Sequence, residues 1–343
     1  LEVEMRDQKP LDADMVVLAI GVRPENDLAV ACGLETGIKG AIVVDKQMRT
    51  NDPDIYAVGD AVQITNSITG KPAVVPLAGP ANKQGRLVAD VICGKDRTYA
   101  GAQNSFVLKM ADLTVAGTGL SYKAAITEGY DADFVVLMPA AHATYYPGGQ
   151  ALTMEVVYDK KDGRILGGQC AGFSGVEKRI DVLATAIKAK MTGNDLTELD
   201  LTYAPPYSSA KDPVNYAGYI IQDLMEGTYT QVHWDALDKL GDDDIILDVR
   251  PTLNYNQDHL DDAIHIELDE LRDRASELPK DKNIYVHCVT GLRSYIACRM
   301  LGQMGYKCYN LAGGFNYYDA YAMDRDIALE NMGPCGIQIP TLA

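Results

Sequence analysis

The sequence predicts a multidomain chain of α/β and α+β class, and three observations carry that prediction. Toward the C-terminus, the apolar run Ile284-Tyr285-Val286 reads as a buried strand and Tyr295-Ile296-Ala297-Cys298-Arg299-Met300-Leu301 has helical apolar spacing, with one short loop between them. Toward the N-terminus, Val16 to Ile20 and Ile55 to Val58 are apolar runs of the parallel-strand type, each followed by glycine. Between these ends, alternating apolar and polar residues mark antiparallel strands beside one amphipathic helix.

Taken in order, Val16 to Ile20 is expected to be a strand turning at Gly21-Val22-Arg23-Pro24, with Ala41 to Asp45 a second strand and Ile55 to Val58 a third. Gly59-Asp60 falls at the carboxyl end of the third, where open α/β sheets place ligands, and a carboxylate there can accept hydrogen bonds from sugar-like hydroxyls. A helix opens in Pro76-Leu77-Ala78-Gly79-Pro80, runs through Leu87 to Ile92 and stops at Gly94. Strands are expected at Thr114 to Ala116, Phe134 to Leu137 and Thr153 to Tyr158, with Asp162-Gly163 as a hairpin turn leading to Ile165. Val176 to Ala189 is a helix, because Ile180, Leu183, Ala184 and Ile187 fall at i, i+3, i+4 and i+7. These patterns divide the chain into residues 1–103, 104–228 and 229–325, with a tail at 326–343.

The totals narrow the function. A net charge of −17 over 343 residues argues against nucleic acid or an anionic membrane as partner, since both need a basic footprint. No apolar run reaches the length of a transmembrane helix, and residues 1–10 do not form a signal peptide. The 7 cysteines are scattered without a CxxC pair, which fits reduced thiols in a cytoplasmic protein. The 5 histidines have no metal-ligand spacing, so no metal site is expected. Cys32, Cys93, Cys170, Cys298 and Cys308 are expected to pack rather than react, His259, His265 and His287 are expected to be structural, and Cys335 is given no role.

The exception among the cysteines is Cys288. It opens the loop Cys288-Val289-Thr290-Gly291-Leu292-Arg293-Ser294 at a strand-to-helix hinge, where backbone N–H groups and the positive end of the helix converge on an anion. Arg293 adds a cation at the far end. Together with Asp248-Val249-Arg250, Tyr255, His259, Ala263-Ile264-His265-Ile266 and Leu311-Ala312-Gly313-Gly314-Phe315, this loop resembles a single rhodanese domain over residues 229–325. The resemblance implies that Cys288 takes up sulfane sulfur as a persulfide and passes it on. It implies a cradle of Val289, Thr290, Gly291, Leu292 and Ser294, with Arg293 as a catalytic cation. The six residues from Cys288 to Arg293 match the sulfur-transferring branch, where one more would suit phosphate. Two positions depart from the family: Asn254 replaces an acidic residue that usually pairs with an arginine, and Asp258 replaces a glycine, putting an aspartate where a left-handed turn would favour Gly.

The rest resembles the second half of a two-dinucleotide flavoprotein disulfide reductase. Thr50 to Asp60 matches the second flavin motif, Ile20 to Pro24 the end of the nicotinamide domain, and Leu77 to Arg86 a helix start lying against the flavin. The resemblance implies a partial FAD/NAD(P)-binding Rossmann-like region, with Gly21, Gly59, Asp60, Ala61, Leu77 and Ala78 as cofactor-binding residues. Residues 104–228 match the interface domain through which two subunits form a homodimer. Within the family, His142 to Gly148 and Tyr203 to Ser208 are similar to coenzyme A disulfide reductases that carry a C-terminal rhodanese domain. That similarity implies that Tyr145 and Tyr203 reach the partner subunit's active site, with Tyr146 and Tyr207 as neighbouring candidates. A phenolic O–H can donate to a leaving thiolate.

The two GxGxxG turns and the redox cysteine of such reductases are not found, and Gly117-Thr118-Gly119 is no substitute. The chain opens at Leu1 in a charged turn that leads into the apolar run Met15 to Ile20, a strand that needs earlier neighbours, so the expectation is a chain lacking its N-terminal part. The expected activity is a flavin-dependent NAD(P)H oxidoreductase that reduces coenzyme A disulfide, persulfide or polysulfide, coupled to sulfur transfer through Cys288. The alternative is a rhodanese-type sulfurtransferase or sulfur-binding module on a dimerising scaffold.

Overall fold

The computed structural model describes residues 2–5 and 8–329, which leaves Cys335 and the tail outside the described residues. The chain divides into two compact units, Leu1–Ala102 and Gln103–Ala343.

In the first unit, β1 (Glu2–Met5) and β2 (Gln8–Asp12) form an antiparallel hairpin, followed by α1 (Asp27–Ala31). A small sheet joins β3 (Ile42–Val43) in parallel to β4 (Val62–Thr65), which pairs antiparallel with β5 (Pro72–Ala73). Val62, Ile64 and Val75 are buried here, with Leu77 and Tyr99 packed against them. The expected helix is α2 (Ala78–Ile92), and Gly94 at φ +83 ends it in a conformation that only glycine adopts at no steric cost.

The three strands expected in this unit fail or shorten. Val16 to Ile20 forms no strand and lies open, with Leu18 79% and Ile20 89% exposed. A strand exists only through its hydrogen-bonded neighbours, and among the described residues nothing pairs with this run. Ala41 to Asp45 shortens to the two residues of β3. Ile55 to Val58 is a loop with one bridge, Arg49 to Tyr56, because Thr50 folds it back on itself: the Thr50 hydroxyl lies 3.1 Å from Asp52 O and 3.0 Å from Ile55 O. Cys32 and Cys93 are also exposed rather than packed. Each caps the end of a helix, α1 and α2 respectively, where the chain turns outward.

The second unit holds two sheets. The first is antiparallel, built from β6 (Phe106–Met110), β7 (Leu113–Gly119), β8 (Ala132–Leu137), β9 (Leu152–Asp159) and β10 (Ile165–Gly172) in the order β6-β7-β10-β9-β8. α3 (Tyr122–Thr127) links β7 to β8. The β9–β10 hairpin turns at Gly163, φ +74, as expected. α4 (Val176–Lys188) lays Ile180, Leu183 and Ile187 on this sheet, and Cys170 on β10 is buried there. α5 (Gly193–Thr197) starts with a capping box between Thr192 and Asp195, and α6 (Pro213–Met225) starts with Pro213 after the Asp212 cap.

The second sheet is parallel, with β11 (Gln231–Val232), β12 (Asp244–Asp248), β13 (Ile264–His265), β14 (Asn283–His287) and β15 (Lys307–Leu311) in the order β11-β15-β14-β12-β13. α7 (Thr252–Gln257), α8 (Leu271–Arg274) and α9 (Leu292–Gln303) lie in the connections between strands, and α10 (Gly314–Leu329) follows β15. Ile284 and Val286 of β14 are fully buried with Leu247, Ile266, Ala297 and Leu301. Cys298 and Cys308 belong to this core, and burial raises both thiols, Cys308 to about 12, so neither ionises near neutrality. Among the described residues, no helix is long and apolar enough to cross a membrane and no cluster of side chains could hold a metal.

Candidate active site around Cys288

Cys288 follows β14 directly, and α9 begins four residues later, so the loop is the tight hinge that the sequence indicates. Gly291 takes φ +97 to turn the backbone inward, and its N–H donates to Cys288 Sγ at 3.2 Å. The Ser294 hydroxyl, fully buried in the first turn of α9, sits 3.5 Å from the same sulfur and 3.1 Å from Gly291 O. It has one hydrogen to give, so it can exchange the carbonyl for a sulfur that gains negative charge. Cys288 itself is 1% exposed.

The loop is braced from α10, which the sequence did not reveal. Phe315 N–H donates to Cys288 O at 2.7 Å and Asn316 N–H to Val289 O at 3.1 Å. That approach needs Gly314 at φ +64, since a Cβ there would stand 2.6 Å from Cys288 O and 2.7 Å from both Thr290 N and Gly291 N. The Gly313-Gly314 pair was the available signal. Arg293, by contrast, is exposed and makes no hydrogen bond to the loop among the described residues. It helps to hold the Glu267 carboxylate below its usual range, after the larger contribution of hydrogen bonds from Thr252.

Below the loop lies a buried polar layer. Asp248 and His287 are register partners on β12 and β14. Arg250 Nε donates to Asp248 Oδ1 and Oδ2 at 3.1 and 2.9 Å and Arg250 Nη2 to Asp258 O at 2.6 Å, while its guanidinium lies 3.9 Å above the Phe315 ring. Arg250 is therefore paired without an acid at position 254. Asp258 is extended, φ −163, so the expected left-handed turn does not occur. His287 packs between Trp234 and Phe315, opposite the cysteine in the strand's alternation, and neither ring nitrogen has a partner. Burial pushes His287 down to about 4, so it is neutral. Tyr255 is sandwiched between His259 and His265 at 4.1 and 4.2 Å.

At the antiparallel sheet, Tyr145 and Tyr203, 58 residues apart, meet with their hydroxyls 2.8 Å from one another. Both are exposed, and the hydrogen bond to Tyr145 raises Tyr203. Tyr146 instead packs edge-on against His142, and Tyr207 is exposed apart from the pair. The two tyrosine-bearing segments are tied by Arg179, fully buried on α4, which donates to Ala141 O, Ser208 Oγ and Asp212 Oδ2 at 2.9, 3.1 and 3.2 Å. Sequence reasoning missed Arg179: a charged residue in an apolar helix pattern was its only trace.

In the first unit, Gly59 takes φ +87 and donates its N–H to Gln84 Oε1 of α2 at 2.7 Å, another partner that the sequence did not show. Asp60 and Ala61 line a cleft of about 180 Å³ with Arg23, Lys39 and Pro76. An exposed carboxylate beside two cations suits the hydroxyls and phosphates of a dinucleotide. The volume falls below the roughly 300–1,000 Å³ of a site that engulfs a whole small molecule, so the cleft has room for only one end of a dinucleotide. Leu77 caps α2 in extended conformation and Ala78 is its first residue, while Gly21, φ +84, has open space around it.

Comparison with known proteins agrees with this architecture. The pyridine nucleotide-disulphide oxidoreductase model matches residues 1–85, the dimerisation domain of the same family residues 106–213, and the rhodanese-like domain residues 233–321. A CoA-dependent NAD(P)H sulfur oxidoreductase of Pyrococcus abyssi is 36% identical over 202 residues, 59% of this chain and 45% of that protein. A coenzyme A disulfide reductase of Staphylococcus aureus is 35% identical over 219 residues, 64% of this chain and 50% of that protein. The chain thus spans about half the length of the curated relatives it matches. The crystal structure of reduced Bacillus anthracis CoADR-RHD superposes with a TM-score of 0.91 at 43% identity, covering 94% of this chain and 58% of that one. An NAD-dependent persulfide reductase from A. fulgidus gives 0.82 at 39%, covering 89% and 55%. The chain belongs to the pyridine nucleotide-disulphide oxidoreductase family and carries a rhodanese-like domain.

Proposed function

We propose that Cys288 carries sulfane sulfur, and that the chain serves in NAD(P)H-dependent reduction of coenzyme A disulfide, persulfide or polysulfide. The observation that carries the reading is the Cys288 cradle, with the Gly291 N–H and the Ser294 hydroxyl both directed at Sγ. In the forward step the Cys288 thiolate bonds to the sulfane sulfur of a donor such as thiosulfate. The donor's S–S bond breaks and sulfite leaves with the electron pair. An acceptor thiolate or cyanide then takes the outer sulfur and returns Cys288 to thiolate. Amide and hydroxyl donors aimed at the sulfur stabilise the anion at both stages.

The family is FAD- and NAD(P)H-dependent. Bound near Asp60, a flavin would supply two-electron transfer from nicotinamide to a disulfide or persulfide. Gly59, Asp60 and Ala61 would hold its sugar-alcohol and phosphate end, Leu77 and Ala78 would border it, and Gly21 would lie on the nicotinamide side. The dimerisation-domain match supports pairing of two subunits through residues 104–228, and the rhodanese-like match supports residues 229–325 as the sulfur-transfer unit. The Tyr145–Tyr203 pair would then donate a proton to a leaving thiolate in the partner's site, and Arg293 would meet anionic donors at the loop rim.

A second reading, a sulfurtransferase on a dimerising scaffold, is favoured by one contrast: the cysteine cradle is closed within the chain while the Asp60 cleft fits only part of a cofactor. Both readings require thiosulfate-to-cyanide transfer by the purified chain and at least a 100-fold loss in Cys288→Ser, of the order that follows removal of a nucleophile. Unchanged activity in that variant would defeat both. Flavin absorbance that bleaches with NAD(P)H would select the first reading.

A further inference from the structure

The contact between Tyr145 and Tyr203 cannot hold itself. The two side chains are 75% and 46% exposed, and their hydroxyls meet at 2.8 Å across 58 residues of chain. An exposed hydroxyl pair gains little over two hydroxyls bonded to water, so the contact is imposed by the backbone that carries it. That backbone converges on one fully buried side chain, Arg179 of α4.

Arg179 Nη2 shares its hydrogens among Ala141 O, four residues before Tyr145, Ser208 Oγ, five residues after Tyr203, and Asp212 Oδ2. Nη1 donates to Gly175 O at 3.0 Å. A Cβ at Gly175 would stand 2.1 Å from Nη1, so the start of α4 is left bare for the guanidinium. Asp212, itself buried, also accepts from the Ser208 hydroxyl at 2.7 Å and from Val214 N–H at 3.0 Å. Lys178 stands 3.6 Å from Asp212 and donates at 3.3 Å to Thr202 O, the carbonyl next to Tyr203. Ala143 N–H ties the two segments directly, donating to Ser208 O at 2.9 Å. Burying an ion pair gives little or no stability over apolar side chains of the same volume. What the guanidinium supplies here is a rigid planar fork that sets separate segments in one geometry.

We propose that Arg179 is a positioning residue for the tyrosine pair: by gathering the Ala141 and Ser208 segments on one guanidinium, it keeps the two phenols in hydrogen-bond contact. The inference rests on the reading of Tyr145 and Tyr203 as proton donors. In that step the phenol that accepts from its neighbour has its own hydrogen free. It gives this proton to the leaving thiolate, which becomes a thiol, and the tyrosinate left behind keeps its neighbour's hydrogen bond. A single exposed tyrosine lacks that bond as the charge develops.

The contact leaves a signature, since the hydrogen bond to Tyr145 holds Tyr203 above the ordinary phenol. The test titrates the full chain, labelled with carbon-13 at the tyrosine Cζ, by NMR, with Tyr145→Phe and Tyr203→Phe assigning the two signals. Tyr203 is expected to titrate above 10.0 in the wild type and to fall back in Tyr145→Phe. Arg179→Met is expected to give the same fall with both tyrosines present. Arg179→Lys, which keeps a cation against Asp212 and so protects the fold, is expected to show the fall as well, because an ammonium lacks the fork. Tyr203 still raised in Arg179→Lys or Arg179→Met overturns the positioning role and leaves the pair standing. A wild-type Tyr203 that does not respond to Tyr145→Phe overturns the pair itself, and the positioning role with it.

Discussion

His287 shows how a single side chain ties the site to pH. It lies in a fully buried layer, where burial first and then the charge of Arg250 oppose its protonation against the pull of Asp248 3.7 Å away. Its folded value of about 4 lies below the ordinary 6.5. Above pH 6.5 the ring is neutral in both states and contributes no pH dependence. Between 6.5 and about 4 the unfolded chain binds a proton that the folded chain does not, so stability falls as pH falls; below about 4 the loss is complete. The gap corresponds to on the order of 3 kcal/mol. Because neither ring nitrogen is hydrogen-bonded, His287→Phe removes the titration without orphaning a partner. Urea unfolding at pH 7 and pH 5 is expected to show a smaller stability difference in His287→Phe than in the wild type. The same difference in both would show that other groups set the acid limit.

Among elements, the decisive contact is the start of α10 against the Cys288 loop. Gly314→Ala would put a methyl against three backbone atoms of the loop at 2.6–2.7 Å and hold alanine at φ +64. It is expected to lower sulfur transfer at least tenfold, by forcing apart the Phe315–Cys288 hydrogen bond. Gly302→Ala near the end of α9, with open space around it, is the control, expected to leave transfer intact and to stabilise slightly. Equal activity in both variants would show that the loop does not depend on α10. The elements also show what the sequence disclosed. α2, α4 and the β9–β10 hairpin were legible because each buries one face or turns at a glycine with positive φ. Val16 to Ile20 was misread because an apolar run is a strand only beside another strand, and composition does not report neighbours. The Cys288 loop was legible in its order of residues, whereas Gln84, Arg179 and Asn310 act through contacts 19 to 38 residues away and left no local pattern.

At the scale of the second unit, the parallel sheet is fastened to the antiparallel one by side chains from both. His233 Nε2 meets Asp133 Oδ1 at 2.7 Å, Gln231 Nε2 donates to Phe134 O at 3.1 Å, and the Tyr295 hydroxyl donates to Asp223 Oδ2 at 2.8 Å. These bonds hold α6 beside the loop that carries Cys288, so one cavity is shared by the scaffold and the sulfur site. The sequence's acidic total, −17, makes local donors the more important for any anion that approaches. The central claim, that Cys288 holds sulfane sulfur, is tested most directly by mass spectrometry of the chain after incubation with thiosulfate and removal of excess donor. The expected result is the gain of one sulfur atom on the peptide containing Cys288, released by cyanide and absent in Cys288→Ser. A sulfur carried on another cysteine, or none on Cys288, would contradict the account.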